Sequence, residues 1–198
     1  MISEYQQQLR DRYLAALVMP APEPWRSPLE RSTCIPIGGL LGVGFATDPT
    51  NGHDLLMAVS HQGHGLFDAP TGEKIARDYD PDPDLHTPTG PDLSCPGIGP
   101  LTGSQVRIAG LFGGGLHTTT DDGWTLDVVA PDWPHHRVLL SDDGGLCAGP
   151  AGEHWWHIFH ANYSELRAAG FSPSGRTLLI ATSSDITLFV RPPSESPK

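Results

Sequence analysis

Short apolar runs recur along most of the chain, and clusters of Gly, Pro, Asp and Asn separate them. Runs of about four to eight apolar or alternating residues bounded by turn residues are typical of β-strands. We therefore predict strands at residues 40–46, 55–60, 65–68, 73–77, 105–111, 124–129, 137–140, 154–160, 165–171, 177–182 and 186–191. Their close spacing predicts an all-β domain of antiparallel hairpins, arranged as a sandwich or in a propeller-like manner.

The N-terminal segment follows a different period. Four apolar residues recur at every fourth position among polar ones: Tyr5, Leu9, Tyr13 and Leu17. This spacing predicts a helix over 3–18, with Ser3 as its N-cap and Pro20 as its stop. We expect the apolar stripe to pack against the β domain, and a helix that binds a partner is the alternative.

These patterns divide the chain into four parts. The predicted order is an N-terminal helix (1–19), a Pro-rich linker (20–33), a single β domain (34–192) and a disordered tail (193–198). Within the β domain, the acidic and Pro-rich stretch over 78–103 lacks any period and predicts a loop excursion on the surface.

Two segments of the predicted β domain resemble each other. The sequence "VGFATDPTNGHDLLMAVSHQGHGLFD" (43–68) aligns with "AGFSPSGRTLLIATSSDITLFV" (169–190). Both contain Gly-Phe, a turn with Pro and Gly, a Leu-Leu-x-Ala-x-Ser strand, a polar turn and Leu-Phe. The alignment pairs Phe45 with Phe171, Leu56 with Leu179, and Leu66-Phe67 with Leu188-Phe189. An internal repeat of this kind predicts two equivalent supersecondary units.

The second copy resembles a repeat of the WD40-type β-propeller family. After the first copy, "GEKIAR" following "LFDAPT" resembles the closing stretch of such a repeat, in which a Thr-Gly turn leads into the outer strand. The resemblance implies a small or incomplete propeller-like stack of antiparallel hairpins that acts as a binding scaffold. The chain departs from the family pattern in three ways. Phe67-Asp68 and Phe189-Val190 replace the Trp-Asp pair, the Gly-His start is missing, and residues 86–160 do not follow the repeat.

The charge balance narrows the choice of partner. The chain of 198 residues has 23 acidic and 12 basic side chains, a formal net charge of −11, and contains no dense Lys/Arg run. These features argue against direct binding to nucleic acid or to an anionic membrane. They favour a protein partner, and a basic one in particular.

Cysteine usage and the N-terminus bear on the compartment. Cys34, Cys95 and Cys147 are odd in number and far apart, which predicts reduced thiols in a cytoplasmic protein. One disulfide with a thiol left over is the alternative. The N-terminal segment lacks the basic and apolar regions of a signal peptide.

The chain contains ten histidines, and two groups of them suggest a metal site. "HWWHIFH" places His154, His157 and His160 three residues apart, although strand alternation would put His157 opposite the other two. His61 and His64 lie in a predicted hairpin turn, at positions where the second copy has serines and an aspartate. A histidine-rich metal-binding protein or metal-dependent enzyme is therefore an alternative, while an aromatic and histidine-rich strand is the favoured interpretation.

No nucleophile motif or cofactor-binding loop is present in the sequence, so we predict a non-catalytic protein-binding domain without a cofactor. Its predicted contact residues are tryptophans and histidines that lie in predicted turns or on the "HWWHIFH" strand: His61, His64, Trp133, His135, His136, Trp155 and Trp156. An acidic protein of this size would suit an immunity or antitoxin-like inhibitor of a basic partner. A structural subunit of a homo-oligomer is a further alternative.

Overall fold

A computed structural model of the protein describes residues 3–30, 32–79, 88 and 91–192. One helix, α1 (Glu4–Ala15), precedes the strands. The strands are β1 (Ile35–Pro36), β2 (Leu40–Thr47), β3 (Asp54–Ser60), β4 (Gly63–Asp68), β5 (Glu73–Asp78), β6 (Ser94–Pro96), β7 (Gln105–Arg107), β8 (Ala109–Gly110), β9 (Thr125–Asp132), β10 (His135–Ser141), β11 (Trp155–Ala161), β12 (Leu166–Phe171), β13 (Thr177–Thr182) and β14 (Asp185–Val190). The prediction of a mostly β chain with one N-terminal helix is confirmed.

The strands form three larger antiparallel sheets and one small hairpin. Sheet I has the order β5-β4-β3-β2-β8, sheet II the order β1-β14-β13-β12, and sheet III the order β11-β10-β9. Strands β6 and β7 pair as a separate two-stranded sheet. Each large sheet is built mainly from strands consecutive in the sequence, as expected for hairpins joined by short turns.

Apolar clusters show how these sheets are layered. Leu56 and Phe67 of sheet I share one buried cluster with Leu179 and Leu188 of sheet II. The opposite face of sheet II joins sheet III in a second cluster, formed by Phe171, Leu178, Ile180, Leu126, Val138, Leu140 and Ile158 together with Trp25. The β6–β7 hairpin covers the outer face of sheet I, and α1 lies against the outer face of sheet III. Sheet II is therefore the middle layer.

The internal repeat corresponds to the same three-stranded unit in sheets I and II. Phe45 pairs with Leu56 and Leu56 with Phe67, just as Phe171 pairs with Leu178 and Leu178 with Phe189. The structure thus makes Leu56 equivalent to Leu178, one position from the Leu179 that the sequence alignment selected. The outer strands keep the predicted alignment. The middle strand differs because the whole difference in length lies in the first turn: Phe45 and Leu56 are 11 positions apart and Phe171 and Leu178 are seven, whereas the second turn has the same length in both units.

Equivalent residues of the two units face different clusters. Phe45, Leu56 and Phe67 point from sheet I toward sheet II, whereas their equivalents in sheet II point away from sheet I, toward sheet III. The two sheets therefore pack front to back. The glycine before the phenylalanine is needed in both units, since a Cβ on Gly44 would collide with the Arg107 carbonyl and one on Gly170 with Leu116.

Helix α1 is shorter and less buried than predicted. Ser3 caps it through a capping box with Gln6, as its position suggested, but the helix ends at Ala15. None of its residues is buried, and Tyr5 and Leu17 are largely exposed. Tyr13 of the predicted stripe packs on the domain, edge-on to Trp155 with ring centroids 5.9 Å apart, and Leu9 is half-buried. Within the described residues, no helix has the length and apolar character needed to cross a membrane.

The predicted loop excursion over 78–103 is partly ordered where it is described. It contains β6 and a short 3-10 helix, Gly99–Leu101, and it buries Cys95 and Leu101 against sheet I. A short strand with few apolar residues gives little periodic signal, so the sequence did not reveal this hairpin. The predicted disordered tail over 193–198, and part of the excursion, lie outside the described residues.

A buried carboxylate links sheets I and II at one end. Asp54 begins β3 and is only 4 % exposed. Its Oδ2 accepts hydrogen bonds from the hydroxyls of Ser172 (2.8 Å), Ser174 (2.6 Å) and Thr177 (2.9 Å). A buried charge is tolerated when such donors replace its hydration. The turn before β13 is thereby fixed to the start of β3.

An arginine links sheets II and III. Arg191, directly after β14, makes a two-point ion pair with Asp122, which precedes β9. Its Nε donates to the Gly175 carbonyl at 2.8 Å, and its guanidinium lies 4.7 Å from the ring centre of Trp25. The arginine lowers the pKa of Asp122 to about 2. The pairing thus holds the N-terminal linker, sheet II and sheet III together.

The Asp54 network makes a specific prediction about stability. We expect Asp54→Ala to lower the free energy of unfolding by about 2–4 kcal/mol, since it removes the acceptor of two buried hydroxyls, Ser172 and Thr177, and of the exposed hydroxyl of Ser174. Urea denaturation followed by tryptophan fluorescence measures the change.

The matched control is Asp48→Ala. Asp48 is half-buried and its side chain accepts one local hydrogen bond, from the backbone N–H of Thr50, so its loss should cost about 1 kcal/mol or less. Equal destabilisation by the two substitutions would contradict the linking role of Asp54.

Candidate functional site

Exposed aromatic side chains collect at one end of sheet III. Strands β9 and β10 are joined by a tight turn through Trp133 and Pro134. The pairing of His136 with Ala161 brings the end of β11, and with it Tyr163, beside this turn. We call the resulting set the Trp133 surface, which consists of Trp133, His135, His136 and Tyr163.

The two largest side chains of the Trp133 surface lie open to solvent. Trp133 is 78 % exposed and Tyr163 is 96 % exposed. The Trp133 ring meets His136 edge-on, with centroids 5.8 Å apart. His135 and His160 make a similar contact at 6.1 Å. Exposed tryptophan and tyrosine beside the ends of ordered strands offer apolar area together with polar tips, the chemistry that protein interfaces favour.

Buried polar contacts support this surface from behind. Arg137 donates from Nη1 to the Tyr13 carbonyl at 2.9 Å, and its Nε lies 3.5 Å from Asp132 at the hairpin. Arg10 donates to the Pro131 carbonyl at 2.8 Å. The C-terminal end of α1 is therefore joined to the β9–β10 hairpin, which limits the freedom of the Trp133 turn.

Two histidines behind the surface are held neutral. His157 is buried, and its Nδ1 donates to the Ala16 carbonyl at 2.9 Å. Burial lowers the pKa of both His157 and His160, and the positive charge of Arg137 lowers it further. Within the described part of the chain, the Nε2 atom of each has no hydrogen-bond partner. A proton on either ring would face the Arg137 guanidinium at close range.

The predicted histidine strand departs from simple alternation. A bulge between Val138 and Leu139 in the β10–β11 pairing leaves Ile158 of β11 unpaired. As a result, the rings of His157 and His160 lie 5.9 Å apart instead of on opposite faces. His154 is exposed and lies 3.0 Å from Asp142. Among the described residues, no group of His, Cys, Asp and Glu has the arrangement to hold a metal ion.

The other predicted contact residues are distributed over the molecule. His61 is exposed at the tip of the β3–β4 hairpin, whereas His64 lies in β4 and is buried. Trp155 is buried against α1, and Trp156 is half-buried beside Trp124 at 6.0 Å. The side chains of His64 and Trp155 therefore belong to the core, because the pairing of β4 and β11 with their neighbouring strands places both on buried faces. Only Trp133, His135 and His136 of the predicted set lie together on one exposed surface.

The cysteines and paired acids take structural positions. All three cysteines are free, and burial raises the pKa of Cys95 and of Cys147 to about 11. These two thiols are protonated at neutral pH and are poor nucleophiles. Asp143, from one of the Asp-Asp pairs, accepts hydrogen bonds from the backbone N–H groups of Cys147 and Ala148, which is turn chemistry.

Two residues of this region were missed by sequence reasoning. Tyr163 lies in the polar turn "ANYS". One indication of its role was present in the sequence, which is that an aromatic residue occurs in a turn. Arg137 gave no signal at all, because its partners Tyr13 and Asp132 come from a distant helix and from the neighbouring strand.

Comparisons of the chain with protein-family models, with curated proteins and with solved structures found no match.

The buried histidines predict a pH dependence of stability. The unfolded chain binds a proton on His157 near pH 6.5, whereas the folded state binds it only at lower pH. The free energy of unfolding should therefore fall as the pH decreases from 7.5 to 5.5. The variant His157→Asn retains a donor near the position of Nδ1. Between the two pH values, its free energy of unfolding should decrease by about 1 kcal/mol less than that of the unmodified protein. Urea denaturation at the two pH values measures it.

His61→Asn is the control for this measurement, since His61 is exposed at a hairpin tip. It should lose as much stability between the two pH values as the unmodified protein. A pH dependence that His157→Asn leaves unchanged would show that His157 is not its source.

Proposed function

We propose that the protein is a non-catalytic protein-binding domain, and that the Trp133 surface is its contact site. The observation that carries this proposal is the exposure of Trp133 and Tyr163 at the same end of sheet III. Tryptophan and tyrosine are enriched among the residues that dominate binding energy at interfaces. Each loses little conformational entropy on binding relative to the area it buries.

The contacts behind the surface favour a preformed site. Arg137 and Arg10 fix the hairpin to α1, so the backbone that presents Trp133 is held before any partner arrives. Preorganisation of this kind reduces the entropy lost on association. A partner would then be recognised by the two exposed aromatic rings and by the imidazoles of His135 and His136.

The net charge of −11 supports a basic partner. Opposite charges accelerate diffusional encounter, and this effect weakens as salt screens it. Inhibition of a basic partner enzyme by an immunity or antitoxin-like protein is the narrower form of this proposal, and it rests on charge and size. We place this role in the cytoplasm, on the basis of the three free thiols.

We also propose that sheets I–III form a small, incomplete propeller-like stack. The equal register of the two repeat units and the front-to-back packing of sheets I and II support this interpretation. Such a stack would serve as a rigid scaffold whose turns present the contact residues.

The edges of the sheets favour binding through side chains over assembly through strand pairing. The outer strand β5 carries Glu73, Lys74, Arg77 and Asp78, and charges on an edge strand disfavour pairing with a second copy. The backbone N–H of Met19 caps the outer edge of β11 at the His157 carbonyl. The homo-oligomer and the metal-dependent protein remain predictions from the sequence.

The proposal predicts that one double substitution abolishes binding. We expect the unmodified chain, immobilised, to retain a specific protein from a native lysate, and Trp133→Ala/Tyr163→Ala to lose it. Loss of two central aromatic side chains should weaken binding by about 100-fold or more. Calorimetric titration of the purified partner gives the Kd values.

Tyr5→Ala is the matched control, because Tyr5 is an exposed aromatic residue on α1 outside the Trp133 surface. This variant should bind as the unmodified chain does. Retention of the same protein by all three chains would reject the Trp133 surface as the site, and retention of none would reject the binding function in that lysate.

A further inference from the structure

Three arginines surround a small cavity at one end of sheet II. The cavity has a volume of about 230 Å³ and is lined by Arg26, Arg176 and Arg191, together with His53 and Asp54. A chain with a net charge of −11 contains only 12 Lys and Arg residues, and three of them converge here. The contact residues predicted from the sequence are histidines and tryptophans, so none of the three arginines belongs to that set.

Backbone pairing explains why the three arginines converge. Arg26 and Val190 exchange two backbone hydrogen bonds, of 3.0 and 2.8 Å. The backbone N–H of Arg191 donates to the Arg176 carbonyl at 3.0 Å. The linker, the end of β14 and the start of β13 therefore lie side by side, and each segment contributes one arginine. The cavity is part of the folded framework and does not depend on a loose loop.

The acidic groups around the cavity are already engaged. Asp122 pairs with Arg191, whose side chain is 7 % exposed. Oδ2 of Asp54 accepts the three hydroxyl hydrogen bonds that link sheets I and II. Asp68 lies 2.9 Å from Nδ1 of His53. None of these carboxylates is within ion-pair distance of Arg26 or Arg176.

Arg26 and Arg176 are consequently free to bind a ligand. Both are exposed, and neither guanidinium forms a hydrogen bond or an ion pair with any described residue. Two guanidinium groups without partners beside one cavity create a local positive potential in an otherwise acidic protein. Because guanidinium donors form a planar fork, they match the oxygens of an oxyanion in a two-point geometry.

We propose that this cavity is a binding site for a small tetrahedral oxyanion of the phosphate class, with Arg26 and Arg176 as the principal donors. Arg191 also lines the cavity, but its donors stay on Asp122 and Gly175 and its charge is balanced by Asp122. The volume suits a single phosphate group more than a ligand of drug-like size.

The oxyanion site is separate from the Trp133 surface. Asp122, the partner of Arg191, precedes β9, whereas Trp133 follows β9. Eight residues of β9 place the two sites about 26 Å apart along sheet III. The proposal is thus independent of the protein-binding function, and either one can fail without the other.

Calorimetric titration of the full chain with inorganic phosphate, at constant ionic strength set with sodium chloride, tests the proposal. We expect saturable binding of one phosphate per chain. Arg26→Gln and Arg176→Gln should each weaken it by about tenfold or more, since each removes a charge-assisted donor pair. Phosphate should also raise the Tm of the unmodified chain, and do so less in each variant.

Arg107→Gln is the matched control. Arg107 is an exposed arginine on β7 that lies outside the cavity and has no ion pair with a described residue. This variant loses the same charge and should bind phosphate with the unmodified Kd. Unfolding of each variant without phosphate verifies that the fold is retained.

Three results would overturn the assignment. One is the absence of saturable phosphate binding to the unmodified chain. Another is an equal loss of affinity in Arg107→Gln, which would indicate a general charge effect. The third is binding of acetate as tight as that of phosphate, because a planar carboxylate would then satisfy the site equally well.

Discussion

The carboxylate of Asp54 determines how the two repeat units are placed relative to each other. Apolar contacts between sheets I and II supply most of the burial, but contacts of this kind are non-directional and tolerate sliding. A buried charge that accepts three hydroxyl hydrogen bonds has no such tolerance, since any displacement leaves it unsatisfied. The end of the molecule that carries the arginine cavity is thus held in a single geometry.

Each junction between layers combines an apolar cluster with directional polar contacts. Asp54 provides such contacts between sheets I and II, the Arg191–Asp122 pair does so between sheets II and III, and Arg137 does so between sheet III and α1. All three lie at the ends of strands, where backbone groups and turn residues are available as partners. The clusters supply the stability of the layers, and these contacts supply their alignment.

The elements could be predicted from the sequence more fully than their contacts could. Most strands were found, because apolar runs and turn residues are local signals. The offset of the middle strand in the repeat, the bulge at Ile158 and the inward orientation of His64 and Trp155 were not found, because pairing between strands decides them. Helix α1 was predicted too long, since its docking combines one residue of the stripe, Tyr13, with hydrogen bonds from Arg137 and His157 that the stripe does not reveal.

For the candidate sites the same division holds. Trp133, His135 and His136 were accessible to sequence reasoning because they share one turn, whereas Tyr163 joins them only through the pairing of β10 with β11. The arginine cavity gave no sequence signal, as Arg26 and Arg176 are 150 positions apart by their numbering. To predict a site whose residues come from several strands, one must know which residues of the strands pair. This register is set by the whole fold and not by the local sequence.

The position of sheet II as the middle layer has a consequence for synthesis on the ribosome. Its principal strands come from residues 166–190, later in the chain than the strands of sheets I and III. Until these strands emerge, Leu56 and Phe67 on one sheet, and Val138 and Leu140 on the other, lack the surface that covers them. The nascent chain therefore carries two uncovered apolar faces at once, and this is the interval in which a chaperone would be needed.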